Sequence, residues 1–156
     1  MSWRFIVVLA GLSACVGCTG QIYHDGRGQA SALSSRSTWR ASGDLRSPAL
    51  AIDGDTSTMA LSPSTEGKGT LTIDLGKPCV FNTIIIEHGS NEFGFARRTA
   101  VSTSTDGVNF TQRYSAPGTR RVTILCPSTP MLARYVRIQA AVPGDQPWSV
   151  AEVFLQ

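Results

Sequence analysis

Charge is scarce in this 156-residue chain: Asp, Glu, Lys and Arg together make up 16% of it. The formal net charge is only +3, and no basic run is interleaved with aromatics. Nucleic acid is held through clustered Lys and Arg against its phosphates, so a nucleic-acid partner has no support here. Histidine is nearly missing, with 2 in the whole chain, His24 and His88. No His pair therefore stands at metal-ligand spacing. There is also no nucleophile-elbow pattern and no glycine-rich phosphate loop. Asp and Glu gather at turns, so a glycosidase-type carboxylate pair would have to be assembled from distant segments. Catalysis is not expected. Long apolar runs are missing too: Phe5 to Leu12 is too short to span a bilayer as a stable anchor. No segment sustains a helical period.

What is present begins with a targeting segment over 1–14. Arg4 precedes the apolar run, and Leu12-Ser13-Ala14-Cys15 closes it. That ending resembles the bacterial lipobox, in which small residues admit the chain to a peptidase cleft and the Cys thiol accepts a diacylglyceryl group. Cys15 is the expected lipidation site, against the plainer alternative of an ordinary secretory signal. Cys18 is a poorer acceptor, because Cys15 would then stand at the apolar position. The resemblance implies a lipid-anchored envelope protein. Val16 stands where an Asp would signal inner-membrane retention, which favours the outer membrane. Loss of Arg4 lowers the formal charge from +3 to +2.

Residues 15–36 are rich in Gly, Ser, Gln and Thr without apolar period and read as a tether. His24 lies there and is expected to be solvated. The remaining 37–156 suit one domain. Thr70 to Leu75 alternates apolar and polar residues, as a half-buried strand does. Val80 to Ile86 is β-branched and reads as a second strand. Val101 to Ser104 and Val108 to Thr111 flank Asp106-Gly107, a hairpin signal. Arg121 to Leu125, Arg134 to Gln139 and Ser149 to Leu155 complete the set. Many short strands between turn signals predict an all-β sandwich or jelly roll. Cys79 and Cys126 lie in this domain. An exported protein meets an oxidising compartment, so they either pair or stay as two thiols.

Five short signals recur in order at strand edges: Asp53-Gly54-Asp55-Thr56-Ser57-Thr58, Asp74-Leu75-Gly76, Ser104-Thr105-Asp106-Gly107, Arg134-Tyr135-Val136-Arg137-Ile138 and Ala151-Glu152-Val153-Phe154. Acidic residues beside Gly make tight turns and leave oxygens free to face a hard cation. The ordered set resembles the discoidin (factor V/VIII C-type) domain and its relatives among family 32 carbohydrate-binding modules. The resemblance implies an antiparallel β-sandwich with jelly-roll topology, galactose-binding-like. It also implies a structural Ca2+ held by Leu50 and Asp55 carbonyls, the Asp53 and Glu152 carboxylates, and Thr58. A metal-free turn of the same residues is the alternative.

Sugar binding needs a planar apolar face with fixed polar donors around it. His88, Asn91, Phe93, Arg97, Arg98 and Trp148 are the expected ligand-binding residues, gathered near one loop end. Phe93 and Phe95 fit core plugs more simply than platforms, and Trp148 suits a platform or the core equally. Trp39 reads as core. Two Arg with His88 tilt the expectation toward an acidic or sulfated glycan. One departure stands out. Galactose-binding relatives commonly follow the Asp-Gly-Asp turn with Trp-His, and this chain has Ala60-Leu61 there. A Trp before the Asp-Leu-Gly strand is replaced by Thr70. The expected function is non-catalytic binding of a glycan or glycan-bearing polymer, with docking of another envelope protein as the alternative. A concave loop end with an exposed ring would favour sugar, and a broad flat apolar patch would favour protein.

Overall fold

A computed structural model describes residues 32–63 and 68–156. Ten strands follow in chain order: β1 (Arg40–Gly43), β2 (Ala60–Leu61), β3 (Thr70–Phe81), β4 (Ile84–Glu87), β5 (Arg98–Ser104), β6 (Thr111–Pro117), β7 (Val122–Leu125), β8 (Met131–Val142), β9 (Ser149–Val150) and β10 (Glu152–Leu155). Two short 3-10 turns, Arg36–Thr38 and Pro48–Ala51, are the helical elements among the described residues. The strands form a five-stranded sheet ordered β1-β3-β8-β5-β6, a three-stranded sheet β10-β4-β7, and a pair β2-β9. Every pairing is antiparallel. The two larger sheets face each other as the expected jelly-roll sandwich. Leu71, Ile73, Val101, Val136 and Ile138 from one meet Ile84, Ile86, Leu125, Val153 and Leu155 from the other in one buried cluster. Each such side chain contributes about 1.5–3 kcal/mol by leaving water.

Strand β3 shows how the pattern works. Leu71, Ile73 and Leu75 point inward and Thr70, Thr72 and Asp74 outward. The ladder to β8 then breaks between Asp74 and Cys79, so Pro78 sits where no ladder bond is required of it. The run Val80 to Ile86 is not one strand. It turns at Asn82-Thr83, whose N–H groups both donate to Gln156 O, and resumes as β4 in the other sheet. Val108 to Phe110 belongs to the hairpin turn rather than to a strand, and Val108 is 80% exposed.

The five ordered signals join into two groups. Asp74 accepts two hydrogen bonds from Arg134, at 2.8 and 2.9 Å, and one from the Gly76 N–H. Asp106 Oδ1 accepts the Val108 and Asn109 N–H groups, closing the Ser104 to Gly107 turn over Tyr135. A Cβ at Gly107 would lie 3.0 Å from the Tyr135 ring, and its φ of +78° is a glycine conformation. The middle three signals thus brace one end of the three inner strands, β3, β8 and β5. The first and last meet separately, through Glu152.

The domain begins earlier than 37. Leu33 packs on the core, Ser34 Oγ–H donates to Leu75 O, and the Trp39 indole N–H donates to Ser34 Oγ. Cys79 and Cys126 are unpaired thiols. Cys79 is buried, with its Sγ 3.3 Å from Lys77 O, while Cys126 is exposed beyond the end of β7. Cys15, Cys18, His24 and the rest of residues 1–31 lie outside the described residues.

Candidate functional site

The loop end between β4 and β5 is built around a chain reversal. The Gly94 N–H donates to Asn91 O at 2.8 Å, and the Ser149 N–H donates to Gly94 O at 2.8 Å. Gly94 is needed for close approach, because a Cβ there would collide with Ser149 Oγ and the Asn91 amide. On the facing side Arg121 adopts φ +65°, an uncommon left-handed conformation for a residue with a Cβ. It is held there from both ends: its N–H donates to Glu92 O and its carbonyl accepts the His88 N–H. This backbone stitching brings the 89–95 loop against residues 119–122.

The result is a concavity of about 600 Å3 lined by Thr56, Glu87, Gly89, Ser90, Glu92, Arg121 and Val122. Glu92 accepts from Arg121 Nε at 2.7 Å and from Arg120 Nη2 at 2.9 Å. These guanidiniums, Arg121 most, hold the Glu92 carboxyl below its ordinary value. Beside it Phe93 is 51% exposed, and Arg120 lies over its ring at 4.2 Å from the centroid. A half-open ring among fixed donors and acceptors is the chemistry that binds a pyranose.

The six residues expected to bind ligand are not brought together. Phe93 is at the site, as an exposed ring rather than a core plug. Asn91 shapes the turn. His88 is 1% exposed. Its Nδ1–H donates to Ser149 O at 2.6 Å, leaving Nε2 to accept from the Thr123 hydroxyl at 2.9 Å. Burial pushes this imidazole below its ordinary pKa, against the Ser149 contact. Trp148 is 0% exposed and belongs to the core, where its indole closes on the space left by Gly69. Its Nε1 is buried without a hydrogen-bond partner among the described residues. Arg97 turns to Asp145, at 2.6 and 2.8 Å, and Arg98 starts β5 in the open. Glu87, Glu92 and Arg121 line this concavity instead, with Arg120 bonded to Glu92. Arg120-Arg121, directly before a β-branched run, was the available signal for this second wall.

The expected calcium ligands meet a different fate. Asp53 Oδ1 accepts the Asp55 N–H at 2.9 Å and Oδ2 accepts the Thr58 hydroxyl at 2.8 Å. The Asp55 carbonyl accepts from Thr58 N and Oγ1. Glu152, 0% exposed, binds the Gly54 N–H through Oε2 at 2.7 Å and the Arg36 guanidinium through Oε1. Burial raises its carboxyl above the ordinary range, against the pull of Arg36. Ca2+ needs six to eight free oxygens. Here the side-chain oxygens of Asp53 and Glu152 and the Asp55 carbonyl accept hydrogen bonds from within the protein, and a guanidinium faces the Glu152 carboxylate. With the Arg36 guanidinium on Glu152, the donor set is a poor fit for the ion.

Known proteins place this architecture. The F5/8 type C domain pattern matches residues 29–153, and the chain belongs to that family. The structure is similar to the family 32 carbohydrate-binding module of NanJ from Clostridium perfringens, solved in complex with galactose. Identity is 22%, coverage is 77% of this chain and 94% of that one, and the TM-score is 0.67. It is likewise similar to CpGH89CBM32-5 from the same organism, in complex with GalNAc-β-1,3-galactose: 22% identity, 80% and 99% coverage, TM-score 0.69. The family 32 modules of C. perfringens ZmpB, in complex with GalNAc, align at 19% identity and TM-score 0.65, over 78% of this chain and 35% of that one. No curated protein matches the chain.

Proposed function

We propose that this protein is a non-catalytic glycan-binding module, held at the cell envelope by lipid on Cys15. The observation that carries the binding role is the half-exposed Phe93 ring beside a polar concavity. Phe93 follows the lining residue Glu92 directly, whereas the other exposed large apolar side chains among the described residues, Val108, Ile124, Leu132 and Val142, lie on other elements. Protein docking would call for a broad apolar patch at this loop end. The glycan is neutral. Glu87 and Glu92 balance Arg120 and Arg121, so the site has no surplus positive charge; of the Arg97, Arg98 and His88 that suggested an acidic sugar, Arg97 and His88 are engaged elsewhere and Arg98 does not line the concavity. Carboxylate oxygens accept from sugar hydroxyls, guanidinium N–H groups donate to them, and Phe93 takes the apolar C–H face. The relatives solved with galactose and GalNAc support this ligand class.

A glycan array probed with the purified protein tests the reading. Neutral galactose- or GalNAc-terminated glycans should be retained ahead of sialylated or sulfated ones, and Phe93→Ala should abolish retention. An array with no retained glycan, or retention indifferent to Phe93→Ala, would overturn it. The anchor is tested apart: intact mass should show a diacylglyceryl adduct on Cys15, and a mature product without lipid would refute it.

A further inference from the structure

We propose that the Arg36 guanidinium is the resident cationic partner of the buried Glu152 carboxylate, which in turn ties down the Asp53 to Thr58 turn, so that the domain keeps its stability without calcium. A carboxylate with no exposure cannot stay charged without a cationic or strongly donating partner. Glu152 is that carboxylate. Arg36 meets it with Nη2, while its Nη1–H donates to Val153 O at 2.7 Å. The guanidinium also lies over the Trp39 and Phe154 rings, at 4.9 and 5.1 Å from their centroids. A flat, weakly hydrated cation suits such a slot, and a strongly hydrated ion does not. The other Glu152 oxygen takes the Gly54 N–H, whose φ of +89° turns it toward the carboxylate. Arg36 and Glu152 together therefore join three segments: the start of the domain through Arg36, the acidic turn through the Gly54 N–H on Glu152, and the last strand that carries Glu152. Arg36 and Glu152 are 116 positions apart, so the contact clasps the point where the chain leading from the N-terminus meets the fold.

Thermal unfolding of the full chain in millimolar calcium and in excess EDTA tests this directly. The wild-type midpoint should be the same in both to within about 1 °C, and elemental analysis of the purified protein should find far less than one calcium per chain. Arg36→Ala should lower the midpoint by roughly 5–15 °C, the loss expected when a fully buried carboxylate loses its cationic partner. Arg36→Lys should recover only part of that loss, because an ammonium cannot bond Glu152 and the Val153 carbonyl in one plane. If neither variant folds, the wild-type calcium comparison and the elemental analysis still decide. A midpoint that rises with calcium, stoichiometric bound calcium, or an Arg36→Ala variant as stable as wild type would each overturn the assignment.

Discussion

Two corners of this sandwich use the same parts to opposite ends. At one, Glu152 meets Arg36 under the rings of Trp39 and Phe154. At the other, Glu92 meets Arg120 and Arg121 beside Phe93. The difference is water. The Glu152 side chain is 0% exposed, Trp39 4% and Arg36 34%, whereas Glu92 is 29%, Arg120 55%, Arg121 78% and Phe93 51% exposed. In the closed corner both Glu152 oxygens are bonded within the protein, so the cluster holds strands together. In the open corner the same ion-pair chemistry leaves the arginines and the Phe93 ring largely facing solvent. An acidic residue beside arginine and an aromatic is therefore not a binding site by composition. Burial decides which it becomes.

The contrast breaks most sharply at Glu152. Glu152→Ala should leave the Arg36 guanidinium and the Gly54 N–H without their acceptor and cost on the order of 3 kcal/mol. Denaturant unfolding measures the loss, and glycan binding by the remaining folded fraction should be unchanged. Trp148→Ala should cost about as much, roughly 3–5 kcal/mol, because it empties a fully buried volume. A near-wild-type stability there would return Trp148 to the surface. Phe93→Ala inverts the pattern. Stability should move by less than about 0.5 kcal/mol. Glycan affinity, read by calorimetric titration, should fall by about 1–3 kcal/mol, the scale of stacking on an aromatic ring.

His88 gives the smallest and most graded effect. Its folded-state pKa is lowered by burial below the ordinary 6.5. The unfolded chain therefore takes up a proton that the folded one refuses. Stability is fully present above the ordinary pKa and is lost as pH falls from there toward the lowered value. The unfolding midpoint should be lower at pH 5 than at pH 7, and His88→Gln should flatten that slope. The depressed carboxyls of Asp74 and Asp106 act in a separate window, as pH falls below their ordinary 3.8.

Much of the fold was legible in the chain because strands and turns are local. The alternation in Thr70 to Leu75 and the Asp106-Gly107 turn each carry their own instruction. The break at Asn82-Thr83 was hidden inside an unbroken β-branched run, since both halves are strand and only the switch between sheets is new. His88 was misread for a reason the sequence does contain. Ile84, Ile86 and His88 alternate onto the buried face, while Ile85 and Glu87 take the other. Continuing the period past the last isoleucine places the imidazole inside. Phe93 stands exposed in the loop before β5, and the Arg120 guanidinium over its ring comes from 27 positions away, a contact no local pattern shows. Arg36 lay in a segment that reads as tether, and its role follows only from a partner at the other end of the chain. Long-range pairing of this kind leaves no periodicity to read.

Backbone amide chemical shifts followed during titration with a neutral oligosaccharide retained on a glycan array test the central claim most directly. The amides of Ser90, Glu92, Phe93 and Arg121 should move and saturate together, while those of Arg36, Gly54 and Glu152 stay still. Shifts centred on any other surface, or no shift at the Phe93 loop at saturating sugar, would contradict the assignment of this open corner as the binding site.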